Sequence, residues 1–234
     1  MPFDVVTIGS AVRDVYIHSD DFVTATNDQF ASGREALVPR SLALRGEVGC
    51  FMLGGKIEVG QPIFSSGGGA TNAAASFAHL GLRTACIAKI GTDRAGDDVT
   101  DDLHTHGVHT NLLVKTEKEG TGYSVLLTNK EGQRTALVYR GAAGSLGVND
   151  IPWGKLDTKW IYLSSVKGNL PLIKRIFKHA ADNNIAIAWN PGSQEIRHGL
   201  QTLAHLIHGC DILLLNREEA AILSGSAPSD LPGM

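Results

Sequence analysis

Hydrophobic positions along the chain fall into short β-rich runs separated by longer stretches with helical spacing. Phe3–Ile8 predicts a first strand halted at Gly9-Ser10, and residues 15–17 predict its continuation. Residues 20–50 hold no period and support no element, whereas 57–64 reads as a strand interrupted by Gly60 and Pro62. After Ser65-Ser66-Gly67-Gly68-Gly69, a helix is expected over 70–80. Its small face (Ala70, Ala73, Ala74, Ala78) suits close packing on a sheet, and Gly81 is a natural stop. Strands are then expected at 84–90, 111–114, 160–163, 185–189 and 211–215. Helices are expected at 93–106, Leu170–Asn183 and 217–223, with helical turns across 193–208. Gly122–Thr128 and Arg134–Tyr139 flank Asn129-Lys130-Glu131-Gly132 and read as a hairpin.

Strands alternating with helices at this spacing mean a mostly parallel central sheet covered on both faces, an α/β architecture in three layers. The hairpin regions, roughly 15–65 and 111–139, break that alternation and read as a small β-sheet lid on a single domain. The tail 224–234 is linker-like, and neither repeats nor low-complexity segments occur.

Composition narrows the chemistry. With 43% hydrophobic and 19% charged residues in 234, the chain can bury a sizeable core. A net charge of −3 offers no nucleic-acid footprint. Three scattered cysteines (Cys50, Cys86, Cys210) form neither a disulfide framework nor a thiolate metal site and fit a reducing, cytoplasmic setting. No apolar run is long enough for a membrane span, and the N-terminus reads as a strand rather than a signal peptide. Glycine stands out at 27 of 234, about 12% against a usual ~7%.

That glycine is concentrated where it matters. Gly67-Gly68-Gly69-Ala70-Thr71-Asn72 opens a helix after a strand, where backbone N–H groups can meet a polar or anionic ligand. It is not a dinucleotide fingerprint, because Asn72 stands where G-x-G-x-x-G needs a third small residue. Gly55-Lys56 is no phosphate loop either, with Cys50 in place of the first glycine and Ile57 in place of Ser or Thr. Asp14, just past the first strand, can accept two hydroxyl hydrogen bonds or can simply cap a turn. Asn72 can bind a hydroxyl or cap its own helix. Asn216 and Glu219 share the first turn of a helix, as a capping box or as partners of Mg²⁺ and phosphate. His104, His106 and His109, like Asp97, Asp98, Asp101 and Asp102, fit helix-dipole positions better than metal sites. His198, His205 and His208 read as helix surface for the same reason. Cys86 reads as a buried small hydrophobe, and Trp153, Trp160 and Trp189 as core.

The run from Gly67 to Ala74, with Gly81 and Gly91 at fixed spacings, resembles the first signature of the PfkB (ribokinase-like) carbohydrate kinases. Other segments resemble the family in order: Gly9-Ser10 with Asp14, Gly91-Thr92-Asp93 with Gly96, Asn190-Pro191, and Asn216-Arg217-Glu218-Glu219. The resemblance implies a ribokinase-like fold and an ATP- and Mg²⁺-dependent transfer of phosphate to a sugar or nucleoside hydroxyl. By it, Asp14, Gly68, Gly69 and Asn72 would hold the substrate. Asn190, Asn216 and Glu219 would face the nucleotide, Glu219 on the metal side. It also implies homodimerisation through the lid.

Two departures qualify this. The family's Gly-Ala-Gly-Asp segment, which carries the catalytic base, does not occur in residues 1–234, so the base is expected beyond Met234 and this chain alone is expected to be inactive. The acid that ribokinase-like chains place after the strand at 160–163 is replaced by Ser164-Ser165. A non-catalytic sugar- or nucleoside-binding module on the same fold is the alternative. A nucleotide-binding oxidoreductase is a weaker one, disfavoured by the failed fingerprint.

Overall fold

A computed structural model describes residues 1–26, 47–50 and 54–227. They divide into two compact units. The larger comprises Met1–Asp14, Ser65–Ser124 and Val138–Met234, the smaller Val15–Phe64 and Val125–Leu137.

The larger unit is built on a five-stranded sheet in which every pairing is parallel. Its strands are β1 (Phe3–Ile8), β6 (Thr84–Ile87), β11 (Thr158–Leu163), β12 (Ala186–Trp189) and β13 (Ile212–Leu213), ordered β13-β12-β11-β1-β6. Alternation sorts their side chains onto two faces. On one, Val6, Ile8, Ile161, Leu163, Ile187 and Trp189 join Leu172, Ile173, Ile176 and Phe177 of helix α3 (Leu170–Asn183) in the main core. The Phe177 and Trp189 rings meet edge to face at 5.4 Å. Burying side chains of this size contributes roughly 1.5–3 kcal/mol each.

On the opposite face lies helix α1 (Gly69–His79), across β6, β1 and β11. Its Ala70 and Ala74 are fully buried with Cys86, as the small-residue stripe predicts. Burial pushes the Cys86 thiol up to about 12, with the Thr7 hydroxyl acting the other way. Helix α2 (Arg94–Thr105) connects the strands of a second parallel pair, β7 (Lys89–Gly91) and β8 (Val114–Thr116). Asp93 caps it by accepting from Gly96 N at 2.9 Å. Helices α4 (Ser193–Ile196), α5 (Leu200–His208) and α6 (Arg217–Ser224) complete this unit.

In the smaller unit, β3 (Val23–Thr26) and β4 (Glu47–Cys50) pair antiparallel within a stretch whose sequence supports no element. Residues 27–46, and the 228–234 part of the expected tail, lie outside the described residues. A four-stranded sheet ordered β10-β9-β2-β5 takes in the expected hairpin, β9 (Gly122–Thr128) and β10 (Arg134–Tyr139). Its other strands are β2 (Val12–His18) and β5 (Ile63–Gly67).

Several expectations are corrected. The strand read at 57–64 forms only from Ile63, because Pro62 has no N–H to pair, although Gly60 N still donates to the His18 carbonyl at 2.9 Å. The run at 84–90 changes partner at Ala88, whose carbonyl accepts from Val114 N, and so divides into β6 and β7. The strand read at 111–114 forms at Val114–Thr116 instead. At 211–215 only two residues pair, since β13 is a sheet edge. Trp160 is 37% exposed rather than core, because it belongs to the sheet face that α1 leaves uncovered toward β13. Asp98 and Asp102, read from sequence as helix-dipole acids, also ion-pair Arg13, Asp102 at 2.6 Å. Among the described residues no group of three His, Cys, Asp or Glu side chains could hold a metal. Nor is any described helix long and apolar enough to cross a membrane.

Candidate active site

Parallel strands bring all their C-terminal ends to one edge of the sheet, and that edge is where open α/β sheets bind ligands. β1 ends at Ile8 and the chain turns through Gly9-Ser10 into β2, on which Asp14 is the third residue. The Asp14 carboxylate lies against Gly67, where a Cβ would collide with it. It is half-buried and has no hydrogen-bond or ion-pair partner among the described residues. A carboxylate left open at this edge can accept two hydroxyl hydrogen bonds.

The glycine segment closes tightly onto the first turn. Gly68 holds φ 108, a conformation side chains rarely adopt, and a Cβ there would run into the Ser10 backbone. A Cβ on Gly69 would stand 2.6 Å from the Ser164 hydroxyl. Ser10 takes up the start of α1, its hydroxyl accepting from Gly69 N at 3.0 Å and its carbonyl from Ala70 N at 3.2 Å. These two amides are thus engaged within the protein, whereas the sequence suggests them as ligand donors. Asn72 is exposed one turn into α1, and its side chain has no partner among the described residues.

Ser164 and Ser165, at the end of β11, differ in role. Ser164 is buried and donates to the Ile8 carbonyl at 3.3 Å. Ser165 donates to Glu195 at 2.8 Å. Glu195 is completely buried yet fully engaged: it also accepts from Val166 N and Gly168 N at 2.8 Å and Gly192 N at 2.9 Å. One carboxylate thereby ties the loop after β11 to the loop after β12. Sequence reasoning misses this residue. Its one local signal is its place three residues after Gly192, the spacing of a helix-start box.

At the far strands, Asn190 donates to the Leu214 carbonyl at 2.9 Å and so joins the ends of β12 and β13. Asn216 and Glu219 form the capping-box alternative in full. Asn216 Oδ1 accepts from Glu219 N at 2.8 Å, and Glu219 Oε2 accepts from Asn216 N at 2.9 Å. Thus Asp14, Gly68, Gly69, Ser10 and Ser164 gather around the start of α1. Asn190, Asn216 and Glu219 stand farther along the same strand-end edge, each with a side-chain oxygen or nitrogen already engaged.

A parallel α/β sheet with a separate small sheet and a glycine-lined helix start at its strand ends defines a ribokinase-like fold. The pfkB family carbohydrate kinase model matches residues 47–231, and the chain belongs to that family. A ribokinase of Staphylococcus aureus is 28% identical over 172 residues, covering 72% of this chain and 54% of the relative. A nucleoside kinase of Methanothermobacter thermautotrophicus is 23% identical, with the same 72% and 54% coverage. An Arabidopsis thaliana ribokinase solved with ribose and ATP shares the fold at a TM-score of 0.71 and 19% identity, covering 100% of this chain and 66% of that one. The chain therefore spans about half the length of these curated relatives.

Proposed function

We propose that these residues carry the acceptor-binding part, and a share of the nucleotide side, of an ATP-dependent kinase acting on a sugar or nucleoside hydroxyl. The observation that carries this reading is the unpartnered Asp14 carboxylate beside Gly67 and Gly68, at the strand-end edge of a family member. Phosphoryl transfer needs an acceptor hydroxyl held in line and the phosphate charge stabilised. Asp14 would hold and orient the acceptor's hydroxyls. Asn72 would add a donor and an acceptor, while Gly68 and Gly69 let the sugar approach the backbone.

Toward the nucleotide, Glu219 keeps one carboxylate oxygen outside its capping bond. That fits a Mg²⁺ ion held through water, since this ion takes few protein ligands and keeps its own waters. When bound with ATP it would neutralise phosphate charge. Asn216 holds the Glu219 end of the first turn, and Asn190 holds the β12–β13 ends that lead to it. The smaller unit is proposed as the lid and as the surface of a homodimer, in a cytoplasmic protein.

Titration calorimetry of the chain with ribose and with adenosine tests the reading. Asp14→Ala should weaken binding of whichever one binds by ten- to a hundredfold, as a charged acceptor is lost. Unchanged affinity in that variant overturns the assignment. A second reading is a sugar- or nucleoside-binding module without catalysis on the same fold. Sugar or nucleoside binding without ATP turnover by this chain is its expected signature.

A further inference from the structure

We propose that Lys167 and Arg140 form a binding site for an oxyanion, a carboxylate or phosphomonoester, carried by the phosphoryl acceptor. The claim rests on the acceptor-binding reading above and narrows its substrate class to anionic sugars.

The loop after β11 is built to hold Lys167 in an unusual position. Lys167 has φ 58 and Gly168 φ 68, two successive left-handed residues of which the first is not glycine. Such backbone persists where the surroundings over-determine it. Here the surroundings are Glu195, whose buried carboxylate accepts from Val166 N and Gly168 N on either side of Lys167. The result is that the Lys167 ammonium lies against Gly144, where a Cβ would collide with Nζ. Arg140 flanks the same glycine, its own Cβ 3.7 Å from that Cβ position. Gly144 thus leaves room for a lysine head beside an arginine.

Among the described residues neither cation has an ion-pair or hydrogen-bond partner from its side chain. Lys167 is half-buried, and burial together with Arg140 lowers its pKa from the ordinary lysine value, while Glu119 acts the other way from outside ion-pair range. Arg140 itself is exposed, so it is Lys167 that is partly desolvated beside a like charge, which disfavours its charged form unless an anion joins it. Lysine and arginine both donate to carboxylate and phosphate oxygens, and the Arg140 charge is near enough to Lys167 to act on it.

Position assigns the anion to the acceptor. Ser164, three residues before Lys167, packs against Gly9 and Gly69 and so lines the region held by Asp14 and Gly68. The same loop carries Ser164-Ser165 followed two residues on by Lys167.

Calorimetric titrations at low ionic strength with inorganic phosphate, ribose, ribose phosphate, glucuronate and ATP test this. At least one anionic sugar should bind about tenfold or more tightly than ribose, as expected for charge-assisted hydrogen bonds. Lys167→Met should bring that ratio near one and weaken phosphate binding, while Lys167→Arg should keep both. Ribose phosphate and glucuronate separate the phosphate and carboxylate sources. The proposal is overturned if the chain binds neither anionic sugar, if Lys167→Met binds anions as the parent does, or if ATP is the only anion held through Lys167. Asp14→Ala is judged on ribose or adenosine, and Lys167→Met on phosphate, so failure of the acceptor-binding reading and failure of this site are told apart. Circular dichroism of each variant verifies the fold, and Lys167→Arg keeps the test decisive if the Met variant does not fold.

Discussion

Glu195 holds the strand-end edge together through four hydrogen bonds to one buried carboxylate. Glu195→Ala leaves three backbone amides and a hydroxyl without their acceptor, each a desolvated donor. Denaturant unfolding should show a loss of about 3–5 kcal/mol, and a loss under ~1 kcal/mol would show the clamp to be dispensable. Asp93 makes a smaller, pH-dependent contribution. Burial raises its pKa, but hydrogen bonds from the Thr121 hydroxyl and amide and from Gly96 N outweigh this and hold it below the usual carboxylate value. A depressed folded value means the stabilisation is present above the unfolded value near ~3.9 and is lost as pH falls through the folded one. The stability difference between the parent and Asp93→Asn should therefore shrink as denaturation is repeated from neutral pH down through ~4. A difference that is constant with pH would refute the linkage.

At the scale of elements, legibility follows from how locally each one is determined. α3 is found at its full extent because Asn169 caps it, Pro171 suits its first turn, and Leu172, Ile173, Ile176, Phe177 and Ala180 form one buried stripe. β9 and β10 are legible for a similar reason, flanking a five-residue turn closed by Asn129 and Gln133. β13 is not, because its length depends on what pairs with it, and among the described residues only β12 does. α6 tests whether an Asn-x-x-Glu start is structural alone. Asn216→Ala should cost about 1 kcal/mol of stability through the lost cap. If Asn216 also serves the nucleotide side, ATP affinity should fall beyond what the parent loses when destabilised equally elsewhere. A cap-only role predicts that affinity does not move.

For the whole molecule, the uneven covering of the central sheet is the main physical consequence. A parallel sheet is ordinarily covered on both faces. On the α1 side, cover stops short of β13, leaving a groove of about 450 Å³ lined by Val5, Phe77, Trp160, Tyr162, Ala188 and Ile212. Trp160 and Ile212 are 37% and 46% exposed. An apolar surface of this kind binds apolar probes. The folded chain should enhance the fluorescence of an anilinonaphthalene dye, and Trp160→Lys with Ile212→Lys should reduce that signal without changing the far-ultraviolet circular dichroism. An undiminished signal would place the dye elsewhere.

What the sequence by itself determined is the local grammar: the β-α alternation, the parallel sheet it requires, the glycine-rich helix start and the caps. Asp14, Gly68, Gly69 and Asn72 are candidates that the sequence offers because each is marked by neighbours along the chain. Only the tertiary structure decided which side chains are already engaged. Ser10 closes onto Gly69 and Ala70, Asn190 joins two strand ends, and Arg13 reaches Asp102 across 89 positions of chain. It alone brought Glu195 beneath Lys167 and set Lys167 beside Arg140. The reason is physical: periodicity and capping act over one or two turns, whereas satisfying a buried carboxylate or leaving a cation unbalanced depends on groups that only folding brings together.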